Sequence, residues 1–132
     1  EQVILKAIAA FSNAQGGTLI MGVNDDMEII GLEQDYQILK NGTKDEFELH
    51  IRNLTNNAYG VDFSSNNLEI LFPFVEDTEI CVIEIKPWHK PLYTMVTDNN
   101  GTKSEKFYLR NGNSSPELPT SEIADYINTR FD

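Results

Sequence analysis

The spacing of apolar side chains near the N-terminus predicts a helix that ends in a glycine turn. Over residues 2–14 the apolar positions recur every three or four residues, as on one face of an amphipathic helix. They are Ile4, Leu5, Ile8 and Phe11. Gly16 or Gly17 then supplies the left-handed residue that commonly ends a helix.

A continuous apolar run, TLIMGV (residues 18–23), follows these glycines. Such a run predicts an interior strand that is buried on both faces of its sheet. The acidic segment DDME has the composition of a turn, and EIIGL (residues 28–32) returns as the partner strand of a hairpin.

Two further helices are predicted from capping signals and apolar periodicity. Thr43 and Glu46 have the spacing of a capping box, and Pro119 precedes the last helix. The predicted inward positions of the first of these helices are Phe47, Ile51, Leu54 and Ala58. Those of the last helix are Ile123, Ile127 and Phe131.

The remaining apolar segments alternate in the manner of strands. LEILFPF (68–74) and EICVIEIK (79–86) predict a second hairpin, with VEDT between them. PLYTM (91–95) and EKFYLR (105–110) predict shorter strands around the polar loop TDNNGTKS. This order indicates an α+β fold with a mixed β-sheet and flanking helices.

The composition is that of an ordinary globular domain, with 40% hydrophobic and 23% charged residues among 132. A chain of this length is expected to form one domain. No apolar run approaches the ~20 residues of a membrane-spanning helix, so we expect no membrane association and a cytoplasmic location. The chain begins with Glu1 rather than Met, which favours a piece of a longer protein.

The formal net charge of −11 argues against a protein held on nucleic acid by bulk electrostatics. The charges are unevenly distributed, however. Residues 25–48 carry eight acidic side chains and two lysines, whereas residues 86–110 carry five basic side chains and two acidic ones. Any nucleic acid should therefore avoid the first segment and dock on the second, although a solvated basic loop would show the same pattern.

Three sequence blocks, in this order, resemble the Schlafen AlbA-type domain. They are KAIAAFSNAQGGTLIMGVNDD, IIGLE, and FYLRNGNSSPEL followed by SEIADYI. The resemblance extends over nearly the whole chain, from about Leu5 to Arg130. It implies an AlbA-like α+β fold and a DNA-binding or other nucleic-acid-related role in predicted transcriptional regulators of bacteria and archaea.

The resemblance also raises the question of nuclease activity. In animal Schlafen relatives, two glutamates before the first helix and an aspartate after the glycine-containing strand form a metal-dependent ribonuclease site. Only the aspartate has a counterpart here, at Asp25 or Asp26, and both also suit a hairpin turn. Several converging carboxylates are needed to hold divalent ions, so we expect no catalysis, no metal and no cofactor in this chain.

Asn13, Gly16 and Gly17 form a candidate phosphate-cradling turn, because successive backbone N–H groups in such a turn can bind a phosphate. No Gly-Lys-Ser/Thr follows, and the glycines precede a strand, so the segment is not a P-loop. A helix C-cap explains the same residues without a ligand. Thr18 and Asn24 are about 20 Å apart at strand rise, so the two ends of this strand are not expected to line one small pocket.

The stretch KPWHKPLY (86–93) mixes aromatic and cationic side chains, which single-stranded nucleic acid binding uses for base stacking and phosphate contact. The candidate binding residues are Lys86, Trp88, His89 and Lys90. The alternative is that Trp88 covers a sheet edge and that His89 is a surface residue. No Ser, Cys or second His nearby completes a catalytic or zinc site.

The stretch FYLRNGNSS places an arginine at the end of a strand, before a turn rich in hydrogen-bond donors. A guanidinium beside such donors suits phosphate recognition. The candidate binding residues are Arg110, Asn111, Asn113 and Ser114. The same arginine could instead tie the turn to a carboxylate, namely Asp25, Glu84 or Glu122.

We therefore predict a single Schlafen AlbA-type domain over residues 1–132 that binds DNA or RNA weakly within a longer regulator. Two other function classes stay open. The first is a metal-dependent endoribonuclease completed by residues upstream of this chain. The second is an acidic protein-interaction or dimerisation module that does not bind nucleic acid, and a homo-oligomer is one possible assembly of the chain.

Overall fold

The computed structural model describes residues 2–23, 28–29, 31–32 and 42–131 of the chain. The chain divides into two compact units. We call Glu1–Gly17 together with Ile85–Asp132 the terminal unit, and Thr18–Glu84 the central unit.

Helices and strands alternate irregularly along the described residues, which confirms the predicted α+β class. In chain order they are α1 (Gln2–Asn13), β1 (Gly17–Met21), α2 (Lys44–Tyr59), α3 (Val61–Asn67), β2 (Leu68–Leu71), β3 (Phe74–Val75), β4 (Thr78–Glu79), β5 (Cys81–Ile85), β6 (Thr94–Thr97), β7 (Lys103–Lys106) and α4 (Thr120–Arg130). Within this part of the chain, the strands form one three-stranded sheet and two two-stranded ribbons, β3-β4 and β6-β7.

The three-stranded sheet has the order β1-β5-β2, so β5 is its middle strand. Cys81, Ile83 and Ile85 alternate along β5 and are buried. The prediction that TLIMGV is interior and buried on both faces is wrong: among the described strands β1 pairs only with β5, and Ile20 is 50% exposed. The return of the chain after β1 is confirmed by an antiparallel bridge between Val23 and Ile29.

Helix α2 begins as its capping box predicts, because the Thr43 hydroxyl accepts a hydrogen bond from the Glu46 N–H (3.2 Å). Its buried face carries Phe47, Ile51 and Thr55. The predicted inward position Ala58 is exposed, because the buried row runs at four-residue steps to Thr55 instead. The Thr55 hydroxyl lies 2.8 Å from the Ser64 hydroxyl of α3, which joins the two helices.

Both ribbons are antiparallel hairpins. Glu76 and Asp77 form the β3-β4 turn at positive φ (51° and 63°), a conformation that two-residue hairpin turns favour. The β6-β7 ribbon pairs Thr94 with Lys106 and continues further toward its loop than the sequence predicted. The Asp98 carboxylate stabilises the short loop that remains, because it accepts hydrogen bonds from the backbone N–H groups of Asn100 and Thr102.

The apolar face of α1 is predicted correctly at its centre, where Ile8 is fully buried together with Ala9 and Ala10. The inward side chains of α4 are half-buried instead of buried. None of the described helices is both long and apolar enough to cross a membrane.

Candidate nucleic-acid interface

The C-terminal end of α1 organises the terminal unit, because the last four carbonyls of a helix have no partner inside it. Each of them accepts a hydrogen bond from outside the helix. The pairs, with the acceptor carbonyl first, are Ala10 with Arg110 N–H (3.1 Å), Phe11 with Gly16 N–H (2.8 Å), Ser12 with Trp88 N–H (3.2 Å) and Asn13 with the Tyr126 hydroxyl (2.7 Å). One helix end thus brings together the glycine turn, the KPWHKPLY stretch and Arg110, which lies beyond the end of β7 at Lys106 and not in a strand as predicted.

Arg130, at the end of α4, completes this arrangement. Its Nε donates to the Ala14 carbonyl (3.0 Å), and its Nη2 donates to the carbonyls of Ser12 (3.4 Å) and Trp88 (3.2 Å). A cation at a helix C-terminus also offsets the partial negative charge there. Sequence reasoning missed Arg130, because nothing in a terminal helix indicates which carbonyls its last arginine meets.

Asn13 is fully buried, and its side chain is occupied by backbone groups. Its Nδ2 donates to the carbonyls of Leu92 (3.0 Å) and Tyr108 (2.9 Å), and its Oδ1 accepts from the Leu92 N–H (2.8 Å). Both amide hydrogens are therefore used inside the protein. Asn13 positions the backbone at Leu92 and Tyr108. It has no exposed surface with which to contact a phosphate.

The two glycines meet close neighbours. Gly16 has φ +79°, as predicted for the residue that ends α1, and a Cβ there would lie 2.5 Å from the Ile85 carbonyl oxygen. A Cβ on Gly17 would collide with the ring of Phe11. Since the Gly16 N–H already donates to Phe11, the turn offers one donor fewer for a phosphate than the sequence suggested.

The FYLRNGNSS stretch forms the first arm and the tip of a narrow hairpin. The Leu109 N–H donates to the Pro116 carbonyl (3.1 Å), and the Leu118 N–H donates to the Phe107 carbonyl (2.8 Å). At the tip, Asn111 and Ser114 exchange backbone hydrogen bonds. The tip side chains are all exposed, and they include the candidates Asn111, Asn113 and Ser114.

The Arg110 side chain is half-buried and is held in one orientation. Its Nε donates to the Gly112 carbonyl (2.9 Å), its Nη1 donates to the Ser115 hydroxyl (3.2 Å), and its guanidinium lies 4.6 Å from the centre of the Phe11 ring. Of the described residues in the terminal unit, none offers it a carboxylate, so the predicted alternative with Glu122 is not formed.

The KPWHKPLY stretch contributes exposed cations and one half-buried ring. Lys86, His89 and Lys90 are exposed, whereas Trp88 is half-buried and its ring lies 4.3 Å from that of His89, centre to centre. Tyr93 is 39% exposed. The stretch therefore presents cationic and aromatic side chains on the surface of the terminal unit.

A cleft of about 740 Å³ lies at the end of α1. We call it the α1-end cleft. Its lining residues are Phe11, Ala14, Gln15, Gly16, Leu109, Arg110, Gly112, Tyr126, Thr129 and Arg130. The structure thus brings Gly16 and Arg110 to one site and adds Arg130, whereas Lys86, Trp88, His89 and Lys90 are not in its lining.

The two predicted acidic candidates, Asp25 and Asp26, lie outside the described residues. In the described ranges, no group of three or more His, Cys, Asp or Glu side chains is placed to hold a metal ion. Glu84, a predicted alternative partner of Arg110, instead accepts a hydrogen bond from the Thr18 hydroxyl (2.9 Å) within the central unit.

Comparison with known proteins identifies the family. Residues 1–119 match the family described as Schlafen, AlbA_2. The chain belongs to this family. The match confirms the resemblance read from the sequence blocks and indicates a nucleic-acid-related domain.

A solved structure of the DIP2311 protein from Corynebacterium diphtheriae is similar to this Schlafen AlbA_2 domain, with 19% sequence identity and a TM-score of 0.59. The similarity covers 98% of this chain and 22% of the DIP2311 chain. At this identity the likeness supports the fold alone. No curated protein matches the chain.

The Tyr126 hydroxyl makes the stability of the terminal unit depend on pH in the alkaline range. Burial raises the pKa of Tyr126 above its ordinary value of 10.0, and the Arg130 guanidinium partly offsets this effect. The unfolded chain therefore ionises this phenol first, so its contribution to stability is complete below pH 10 and is lost as the pH rises further.

We expect Tyr126→Phe to lower the free energy of unfolding by about 1 kcal/mol at neutral pH, because the hydrogen bond to the Asn13 carbonyl is lost. Above pH 10 the difference from the parent protein should shrink. Denaturant unfolding at neutral and alkaline pH measures both effects, with Tyr93→Phe as the control. A difference that grows with pH would contradict the assignment.

Proposed function

We propose that this chain is a nucleic-acid-binding domain of a longer, predicted transcriptional regulator, and that it binds through the terminal unit. The distribution of charge is the observation that carries the proposal. The terminal unit has seven basic and seven acidic residues, whereas the central unit has three basic and fourteen acidic ones. The full net charge of −11 therefore belongs to the central unit, and phosphate repulsion is concentrated there.

Two groups of side chains in the terminal unit support this proposal. The first is the exposed set Lys86, His89 and Lys90 beside Trp88, which can combine phosphate contact with base stacking. The second is Arg110, whose orientation is fixed and which lacks a carboxylate partner among the described residues of its unit. Family membership adds a nucleic-acid-related role from an independent direction.

With so few cations, we expect the complex to neutralise about two to four phosphates. The plot of log K against log salt should then have a slope of about −2 to −4 for duplex DNA, and a smaller one for single strands. Titration of labelled single- and double-stranded DNA and RNA at several salt concentrations between about 50 and 200 mM measures this slope.

Single substitutions assign the contacts. Lys86→Ala, Lys90→Ala and Arg110→Ala should each weaken binding and flatten the slope by about one unit where a phosphate contact is lost. Trp88→Ala should weaken binding by ~1–3 kcal/mol through loss of stacking and leave the slope unchanged. The control is Lys44→Ala, which removes the same charge from the exposed start of α2 in the central unit.

Absence of binding by the parent chain at low salt would refute the proposal, and so would four variants that all bind like the parent. In either case the protein-interaction or dimerisation module becomes the better account. The exposed apolar side chains of the central unit favour that second account, above all Phe74, which is 69% exposed in the β3-β4 hairpin.

A further inference from the structure

The α1-end cleft is an open depression that elements from three parts of the terminal unit line together. The turn after α1 contributes Gln15 and Gly16, the narrow hairpin contributes Arg110, and the last turns of α4 contribute Tyr126 and Arg130. Its volume of about 740 Å³ falls in the ~300–1,000 Å³ range of small-ligand and cofactor sites. A site of this size suits a small molecule, or one residue of a polymer, better than an extended strand.

The Arg110 guanidinium retains donors for a ligand. An arginine side chain has five N–H donors. Among the described residues, the Gly112 carbonyl and the Ser115 hydroxyl accept hydrogen bonds from two of them. The donors that remain belong to a cation that has no carboxylate partner among the described residues of its unit. A half-buried cation in that situation is stabilised by an anion, and a planar fork of N–H groups fits phosphate oxygens well.

The charge balance of the cleft also favours an anion. Two helix C-terminal ends, of α1 and α4, reach it, and each is equivalent to roughly half a negative charge. Two guanidinium groups carry a full positive charge each, and Arg130 is bonded directly to carbonyls at the end of α1. The groups that line the cleft therefore sum to about one positive charge. The carboxylates of Glu122 and Asp125 line the adjoining depression and oppose it.

Besides the two arginines and the polar side chains of Gln15 and Thr129, the lining includes apolar and aromatic side chains. Leu109 and Tyr126 line the same cleft as the arginines, and the Phe11 ring lies against the Arg110 guanidinium. An inorganic anion would leave these surfaces uncovered. A ligand that combines a phosphate with an apolar ring system would cover both kinds of surface.

We propose that the α1-end cleft binds one nucleotide, with its phosphate on the Arg110 guanidinium and its sugar and base against Leu109 and Tyr126. This site rests on the proposed function, which it deepens by assigning the bound unit and the residue that holds it. This nucleotide is either the last nucleotide of a nucleic acid strand or a free nucleotide.

The test compares thymidine 5′-monophosphate, thymidine, inorganic phosphate, and a short single-stranded oligonucleotide with and without a 5′-phosphate. Calorimetry or NMR titration measures each affinity. We expect the monophosphate and the 5′-phosphorylated strand to bind more tightly than thymidine and the unphosphorylated strand. Arg110→Ala should weaken both of these complexes about tenfold or more, as expected for loss of a charge-assisted hydrogen bond.

One further variant and two controls protect the test against a folding defect. Gln15 is exposed and lines the cleft, so Gln15→Glu should leave the fold intact and weaken phosphate binding by placing a carboxylate at the site. Asn99→Asp makes the same charge change in the exposed 98–102 loop and should have little effect. Lys103→Ala is the matched control for loss of a positive charge.

The outcomes separate this site from the proposed function. Strands that bind equally well to the parent, Arg110→Ala and Gln15→Glu proteins would overturn the nucleotide site and leave the proposed function standing. A monophosphate that binds through Arg110, with no strand binding, would support the site for a free nucleotide and refute the proposed function. If phosphorylated and unphosphorylated strands both bind through Arg110 with equal affinity, the assignment of a terminal phosphate is overturned.

Discussion

Asn13→Ala should lower the free energy of unfolding by about 3 kcal/mol or more, which is among the largest effects expected of a single substitution in this chain. The substitution removes three hydrogen bonds to backbone groups of Leu92 and Tyr108. A buried donor or acceptor left without a partner costs about 1–3 kcal/mol, and three such groups would be left here. Total stability for a domain of this size is only ~5–15 kcal/mol.

Denaturant unfolding measures this loss, and Asn128→Ala provides the control. Asn128 is exposed on α4, where exchange for alanine should change stability by less than about 0.5 kcal/mol. Asn13→Asp is the sharper variant, because it keeps an acceptor for the Leu92 N–H but directs a carboxylate oxygen at two carbonyls. Equal stability of the Asn13 and Asn128 variants would show that the three hydrogen bonds of the Asn13 amide do not stabilise the fold.

Local signals in the sequence predicted local structure well. The Thr43 cap of α2 and the glycine that ends α1 are each determined by residues a few positions apart, and each forms as predicted. The hairpin around VEDT also forms, but Val75 and Thr78 pair with each other and only Glu76 and Asp77 make the turn. Such features depend on backbone conformations that short stretches of chain specify by themselves.

Long-range contacts explain what the sequence could not predict. The amide of Asn13 binds backbone groups 79 and 95 positions away, and Arg130 binds a carbonyl 116 positions away. Buried polar pairs of this kind leave no periodicity in the sequence. From the sequence alone Asn13 therefore resembles part of a ligand-binding turn, and no local pattern indicates which carbonyls Arg130 contacts.

The position of β1 shows a different limit. An unbroken apolar run indicates a strand but does not determine where that strand lies in the sheet order. Ile20 is half exposed although its neighbours in sequence are apolar, and the buried middle strand is β5, whose alternation looked less continuous. The strand order is decided by pairing between strands that are distant in sequence, and that pairing depends on the whole sheet.

Gly16→Ala is the second substitution with a large expected effect, about 3 kcal/mol or more. A side chain at φ +79° costs roughly 1–2 kcal/mol. The added Cβ would also lie 2.5 Å from the Ile85 carbonyl oxygen and 2.9 Å from the Pro87 ring, so backbone would have to move. Overpacking of this kind adds about 1–3 kcal/mol.

Gly101→Ala separates the two contributions. Gly101 has almost the same conformation, φ +83°, but a Cβ there would meet nothing within 4 Å. It should therefore show only the conformational cost of roughly 1–2 kcal/mol. The residues that would be displaced are Ile85 and Pro87, and Pro87 belongs to the KPWHKPLY stretch. Gly16→Ala should therefore also weaken nucleic acid binding, whereas Gly101→Ala should not. Equal unfolding free energies for the two variants would mean that close packing around Gly16 contributes nothing to the end of α1.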